Sequence, residues 1–369
     1  MKLFIILVLS IIILYIYVFN ISNSWFSRYM KLYLINPNHY KELFESTKPV
    51  MNKEYTQKND ETIMVSIASY RDNQCADTIN NIIQNADKPS KLRIVVCQQN
   101  ALQDEDCMKR VKNKSVPIKV IKLTHHEAKG PNYARYLIQK QYRGENFFLQ
   151  IDSHTRLIPH WDTKLKKELQ ENTILTQYPL EFKNITDKDK RGDSILEGWA
   201  GIPKIRGPLM VEEFDRDGII RFQSKYINER PNKPQTGVGI ASGFIFTYGS
   251  FNNKIKMDPY LYLFFGEQMD LAIRSFKNGY DLKSPTETIA YHIYDRSYRP
   301  KWLKVMNTQL ETLSLFRLYV KYDFLKKEDI PNKYKFILND LETYNYGNSR
   351  TLQDYEEQAK INIKKEIMS

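Results

Sequence analysis

One stretch constrains this chain more than any other: Phe147-Phe148-Leu149-Gln150-Ile151-Asp152-Ser153-His154, a short apolar run that ends in a carboxylate and an imidazole. Apolar runs of this length bounded by polar residues read as buried strands. Side chains two apart in a strand share a face, so Asp152 and His154 are expected to aim at one point past the strand's end. Such a pair can hold a divalent cation at the rim of a sheet, and the cation can hold a diphosphate. On spacing alone the pair serves equally well as a polar strand end released to solvent.

The surroundings favour a sheet. Residues 63–68 read as a first buried strand, and residues 77–85 place Ile79, Ile82 and Ile83 on one helical face. Residues 92–97 and 118–123 read as further strands, followed by a helix over 132–142 and then the strand into Asp152. Strands alternating with helices indicate an α/β domain with a largely parallel sheet. In such sheets ligands collect at the carboxyl ends of the strands. Beyond, Asp217-Gly218 closes an expected hairpin, residues 241–248 and 288–294 read as strands, and a helix over 268–277 ends at Asn278-Gly279. From residue 301 the pattern is helical and polar.

The apolar run 3–19, preceded by Lys2, is long for a signal-peptide core and short for a spanning helix. It is read as an uncleaved signal anchor, with a cleaved signal peptide as the alternative, and the domain is expected on the lumenal side of an ER- or Golgi-like membrane. Arg28 and Lys31 just beyond the run weaken any orientation argument from charge. The expected layout is an anchor over 1–21, a stem over 22–60, a catalytic domain over 61–305 and a helical extension over 306–369. The net charge of +12 is spread along the chain without a basic helix or a nucleic-acid motif, so no nucleic-acid partner is expected. Cys75, Cys97 and Cys107 contain no Cys-x-x-Cys pair, which argues against a zinc ribbon. Cys97 and Cys107 can form one disulfide in an oxidising compartment, or all three can stay reduced. Asn113-Lys114-Ser115 and Asn184-Ile185-Thr186 are glycosylation sequons if the domain is lumenal.

A cation at Asp152 and His154 needs a third ligand. His292, in Tyr291-His292-Ile293-Tyr294-Asp295-Arg296, is the best candidate. Two imidazoles and a carboxylate favour Mn²⁺ over Mg²⁺, which prefers oxygen ligands. Arg296 is expected to add a phosphate contact. The competing pair Asp215 and Asp217 sits in the hairpin turn, where Asp and Gly are favoured for backbone reasons, and it is read as structural.

Six segments, in order, carry a resemblance: Ser66-Ile67-Ala68-Ser69-Tyr70-Arg71-Asp72, Cys97-Gln98-Gln99, Glu127-Ala128-Lys129-Gly130-Pro131-Asn132-Tyr133-Ala134-Arg135-Tyr136, Gln150-Ile151-Asp152-Ser153-His154, Phe264-Phe265-Gly266-Glu267-Gln268 and the His292 segment. Together they resemble glycosyltransferase family 60, which includes hydroxyproline- and threonine-directed polypeptide N-acetylglucosaminyltransferases. The Asp-Ser-His triplet is also similar to the metal motif of the polypeptide N-acetylgalactosaminyltransferases.

The resemblance implies the α/β glycosyltransferase type A (nucleotide-diphospho-sugar transferase) fold, a Rossmann-like mixed sheet flanked by helices. It implies retaining, metal-dependent transfer of a sugar, typically N-acetylglucosamine, from a UDP-sugar to a protein or peptide hydroxyl. A glycan or lipid acceptor, or a non-catalytic sugar-binding module on the same fold, are the other readings. By the same resemblance Asp152, His154 and His292 match the metal positions, and Ser69, Tyr70, Arg71 and Asp72 match the uridine edge. There Tyr70 is expected to stack on the base and Asp72 to accept its imide proton. Gly130 is expected to admit the donor backbone-close, Arg135 to reach the diphosphate, and Glu267, with Arg296, to serve catalysis. The family pattern is usually Gly-Glu-Glu where this chain has Gly266-Glu267-Gln268, a change of charge that bears on specificity. Whether the diphosphate itself takes the acceptor proton or a carboxylate acts as nucleophile stays open at this level.

Overall fold

The computed structural model describes residues 25–47, 54–182, 205–264, 266–295, 297, 299–300, 307–344 and 347–368. The apolar run 3–19, the sequon at Asn184 and Arg296 lie outside them. Among the described residues no helix is long and apolar enough to cross a membrane.

Among the described residues the α-helices are, in chain order, α1 (Trp25–Tyr33), α2 (Asn38–Ser46), α3 (Cys75–Gln84), α4 (Pro131–Gln139), α5 (Trp161–Glu168), α6 (Phe251–Lys254), α7 (Gly266–Lys277), α8 (Thr308–Lys321), α9 (Leu352–Ala359) and α10 (Ile363–Met368). The strands are β1 (Ile63–Tyr70), β2 (Leu92–Asn100), β3 (Ile118–Thr124), β4 (Phe147–Asp152), β5 (Thr155–Leu157), β6 (Thr173–Thr176), β7 (Leu180–Glu181), β8 (Ile205–Arg206), β9 (Met210–Phe214), β10 (Ile220–Gln223), β11 (Tyr226–Ile227), β12 (Gln235–Thr236), β13 (Phe244–Tyr248), β14 (Asp281–Ser284) and β15 (Ala290–His292).

Eight strands form the main sheet in the order β12-β14-β6-β13-β4-β1-β2-β3. The half from β4 to β3 is parallel, as expected. The other half is mixed, because β13 runs antiparallel to both β4 and β6 and β12 antiparallel to β14. Period-two alternation sorts the apolar side chains into two layers. Ile63, Val65 and Ile67 of β1 join Phe147, Leu149 and Ile151 of β4 under α3 and α5, while Met64 and Phe148 face the opposite layer with α4, α7 and α8. Both faces are thus covered, which is why the central strands read as continuous apolar runs.

The same alternation corrects the disulfide. Cys75 and Cys107 are bonded, with Cα atoms 5.3 Å apart, and Cys97 is a buried free thiol. Cys75 and Cys107 belong to the layer under α3, whereas Cys97 points from β2 into the opposite layer. Burial pushes the Cys97 thiol up to about 12.

Residues 22–60 show no sustained period in sequence, yet α1 and α2 fold there and pack on the C-terminal part of the chain. Leu32, Ile35, Tyr40 and Phe44 are buried in the core layer shared with α8 and Tyr334. The Tyr334 hydroxyl donates to the Ile35 carbonyl at 2.9 Å, and Tyr29 donates to the Asp329 carbonyl at 2.8 Å. The helical pattern expected from residue 301 appears in α8 from Thr308 onward, where Asn307 caps the first turn by accepting from the amides of Gln309 and Leu310, but Leu313–Lys321 of that helix are buried rather than polar surface.

Candidate active site

The chain leaves β1 for β2 and β3 on one side and returns to β4 on the other, so β1 and β4 flank the point where strand order reverses. Ligands of open α/β sheets bind outside the carboxyl ends at such a point. A cavity of about 250 Å³ lies there, lined among others by Tyr70, Gly130, Asp152, His154, Glu267 and His292.

Asp152, the last residue of β4, pairs in register with Ala68 of β1. The strand stops at Asp152, and Ser153 and His154 form a turn into β5. His154 therefore joins Asp152 through a turn rather than by strand alternation. A second small sheet completes the set: β15 runs antiparallel to β5 with His292 opposite Thr155. One donor atom from each of Asp152, His154 and His292 lies within 4.8 Å of the others. The two imidazoles meet edge to face, centroids 4.3 Å apart, and Tyr294 flanks His292 at 4.4 Å.

Arg135 of α4 binds this group from below. Its Nη2 donates to Asp152 Oδ1 at 3.0 Å, and its Nη1 pairs with Glu267 Oε1 at the start of α7. Asp152 Oδ2 is 3.4 Å from His292 Nε2. Burial alone would raise the Asp152 carboxyl, but the His292 hydrogen bond and Arg135 outweigh it and hold it well below the usual carboxylate range. For Glu267 burial wins over Arg135, and its carboxyl is raised. Burial pushes His154 down to about 4 despite its bond to Asp72, so at neutral pH it is an uncharged imidazole, the form that ligates metals.

Among the described residues the site thus sets the guanidiniums of Arg135 and Arg299 against the carboxylates of Asp152, Glu267 and Asp72 and two imidazoles. His292 Nδ1 is buried without a hydrogen-bond partner. An uncompensated carboxylate beside an unsatisfied buried imidazole fits a divalent cation, and the mixed nitrogen and oxygen donors suit Mn²⁺. Gly243 is fitted to this arrangement: a Cβ there would lie 2.7 Å from Asp152 Oδ2.

The other expected residues divide. Gly130 lines the cavity at a φ of 98°, open to a glycine, and precedes Pro131 at the first position of α4. Tyr70 stands at the rim. Ser69 is buried with its hydroxyl unpartnered. Arg71 turns away to grip Asp104 in a two-pronged pair at 2.7 and 3.2 Å. Asp72 is wholly buried behind His154 rather than open to a base, so its carboxylate is taken by protein donors. Arg296 lies outside the described residues. Asp215 caps its own turn, accepting from the amides of Asp217 and Ile219, as expected of a hairpin.

Sequence reasoning missed Arg299, which donates from Nη1 to the Tyr70 carbonyl at 2.6 Å and lies 3.3 Å from Asp72 through Nη2. The signal was a run with two arginines, Asp295-Arg296-Ser297-Tyr298-Arg299, in which spacing does not choose between them. It also missed Tyr178, whose hydroxyl donates to Gln268 Oε1 at 3.0 Å across the cavity. The departure from Gly-Glu-Glu therefore keeps an acceptor for this tyrosine.

A metal-competent cluster at the switch point of a mixed sheet is the plan of the glycosyltransferase type A fold, and the chain has that fold. A crystal structure of GalNAc-T7 with UDP, GalNAc and Mn²⁺ aligns with a TM-score of 0.51 at 11% identity, over 88% of this chain and 65% of that one. The chain thus spans slightly less than two thirds of that protein's chain. S. aureus TarS 1–349 in complex with UDP-GlcNAc aligns with a TM-score of 0.42 at 14% identity, over 77% of this chain and 72% of that one. Residues 62–121 and 110–365 match the family described as Glycosyltransferase (GlcNAc), and the chain belongs to that family. It is a glycosyltransferase. No curated protein matches it at a significant level.

Proposed function

We propose that the protein is a metal-dependent, retaining glycosyltransferase of family 60 that moves N-acetylglucosamine from a UDP-sugar to a hydroxyl of a protein acceptor, on Thr/Ser or hydroxyproline. The observation that carries this reading is the Asp152/His154/His292 cluster at the carboxyl ends of β1 and β4, within a chain of the GlcNAc glycosyltransferase family. UDP, GalNAc and Mn²⁺, named for the GalNAc-T7 structure, are the donor class and ion this reading brings here.

Asp152, His154 and His292 would hold the cation. When bound, it would neutralise the diphosphate as that group departs. The protein's own part is preorganisation: Arg135 fixes Asp152 and Glu267 to each other, Gly130 leaves room for a phosphate against the backbone, and Tyr70 offers a ring to the base. Among the described cavity residues the acids are Asp152 and Glu267, and both are bound to Arg135. The reading adopted is front-face departure, in which the diphosphate takes the acceptor proton and both acids stay paired with Arg135.

The proposal includes the location: a single-pass anchor in the run 3–19 and a lumenal domain. The Cys75–Cys107 disulfide supports it, because such bonds persist in oxidising compartments.

Full-length protein incubated with Mn²⁺ and a panel of UDP-sugars tests the function. UDP release is expected to be highest with UDP-GlcNAc and to rise on adding Thr/Pro-rich peptides, giving an α-linked product. Absence of acceptor-dependent release with every donor overturns the reading.

A further inference from the structure

We propose that Asp72 is a positioning residue: it holds the proton of His154 on Nδ1 and so dedicates Nε2 of that ring to the cation. The proposal rests on the metal reading given above and gives Asp72 a different task from base recognition.

The geometry carries it. His154 Nδ1 lies 2.7 Å from Asp72 Oδ2. Were Nδ1 unprotonated, its lone pair would face a carboxylate oxygen at that distance, which is repulsive. With the proton on Nδ1 the contact is a charge-assisted hydrogen bond. The same oxygen accepts from Ser153 Oγ at 2.6 Å and is 3.3 Å from Arg299 Nη2, while Oδ1 accepts from the Gln74 amide at 3.0 Å. Arg299 Nη2 also lies 3.2 Å from His154 Nδ1. That approach follows from two donors sharing one acceptor, since the shorter contact assigns the Nδ1 proton to Asp72. The Asp72 side chain is fully buried and does not line the cavity, so it acts on a ligand through the residues it holds, of which His154 is the one in the metal cluster. Metal-binding histidines generally give their second N–H to a carboxylate or carbonyl, which fixes ring and tautomer.

The arrangement is one-sided. His292 Nδ1 has no such partner, and its ring is held by packing against His154 and Tyr294. His154 is therefore the imidazole that is oriented before a cation arrives, and the Ser69–Asp72 strand end contributes to the metal site through it.

Two measurements on the full-length protein test this. Long-range ¹H–¹⁵N NMR of the metal-free chain, with His154→Ala to assign the signals, should show His154 as the Nδ1–H tautomer. The Nε2–H tautomer overturns the proposal whatever the protein binds. Mn²⁺ titration followed by the electron paramagnetic resonance of free Mn²⁺ should show Asp72→Ala binding about 10–100-fold more weakly than the unaltered chain, with Asp215→Asn unchanged. Unaltered affinity in a folded Asp72→Ala protein also overturns it. If Asp72→Ala does not fold, the tautomer decides alone. Absence of Mn²⁺ binding by the unaltered chain overturns the metal reading instead, so the two failures are distinguishable.

Discussion

Two buried clusters of charge lie on either side of α7, and they are finished to different degrees. In the core, Asp258 and Asp270 face Arg274, Arg317 and Lys321. Arg317 and Lys321 meet Asp258 at 2.9 and 3.3 Å, and Lys321 and Arg274 meet Asp270 at 2.7 and 2.8 Å. Carbonyls take some of the remaining N–H groups: Arg317 Nη1 donates to Ile337 and Asn339, and Arg274 Nη1 to Lys256, while Arg317 Nη2 is buried without a partner. At the cavity, among the described residues, Arg135 faces both Asp152 and Glu267, Arg299 is taken up by Asp72, and a buried imidazole nitrogen goes unpartnered. The first cluster carries more cations than acids and a nearly complete set of acceptors. Among its described residues the second has more acids than cations. A closed cluster holds α7 against α8; an open one invites a ligand.

The largest test breaks the closed cluster. Asp258→Ala leaves Arg317 and Lys321 buried without their shared carboxylate and is expected to cost about 3–5 kcal/mol of stability in urea unfolding, with donor turnover per folded molecule unchanged. The Asp258 carboxyl is raised by burial but lowered more by Arg317 and Lys321, so the folded chain holds its proton more weakly than the unfolded one. Its stabilisation is therefore fully present above the unfolded carboxylate pKa and is lost as pH falls through that range. A urea midpoint as insensitive to acid in the unaltered protein as in Asp258→Ala would contradict this.

Asp152→Ala is expected to do the reverse. Metal-dependent UDP release should fall by about 10²–10³-fold, while the melting temperature moves little because Arg135 keeps Glu267. Glu267→Gln sharpens the contrast within the open cluster. It removes a charge from the Arg135 pair but keeps the shape, and turnover should drop by about 10-fold or somewhat more, with Mn²⁺ affinity measured in parallel to separate the two acids. Smallest is Asp215→Asn in the hairpin, where Arg221 Nη2 lies 2.6 Å from Asp215 Oδ2 and loss of that partly exposed pair should change stability by less than about 1 kcal/mol and leave metal dependence intact.

The comparison also explains what was legible in the sequence. The parallel half of the sheet could be read because each strand is buried on both faces and announces itself as an apolar run. Asp152 and His154 were legible for the same reason, as polar residues where such a run stops. The antiparallel entry of β13 was not, since pairing direction leaves no mark on a short buried strand. The disulfide partner of Cys107 needed the fold, because Cys97 is closer in sequence but on the other face of β2. The burial of Asp72 depended on Arg299, more than two hundred residues away, and no local pattern foretells that contact. Nor did spacing reveal α1 and α2, whose apolar residues find their partners only in the C-terminal part.

That last feature has a consequence for the order in which the protein is made. The Ile35 carbonyl and the Tyr334 hydroxyl that binds it are 299 residues apart. During synthesis from the N-terminus at about 5–20 residues per second, the segment 25–46 emerges long before the residues it packs on. Leu32, Ile35, Tyr40 and Phe44 stay uncovered until α8 and the segment around Tyr334 have left the ribosome. A nascent chain halted before residue 334 would carry the β1–β4 half-sheet with α1 and α2 still unseated, so chaperone dependence should concentrate on residues 25–46.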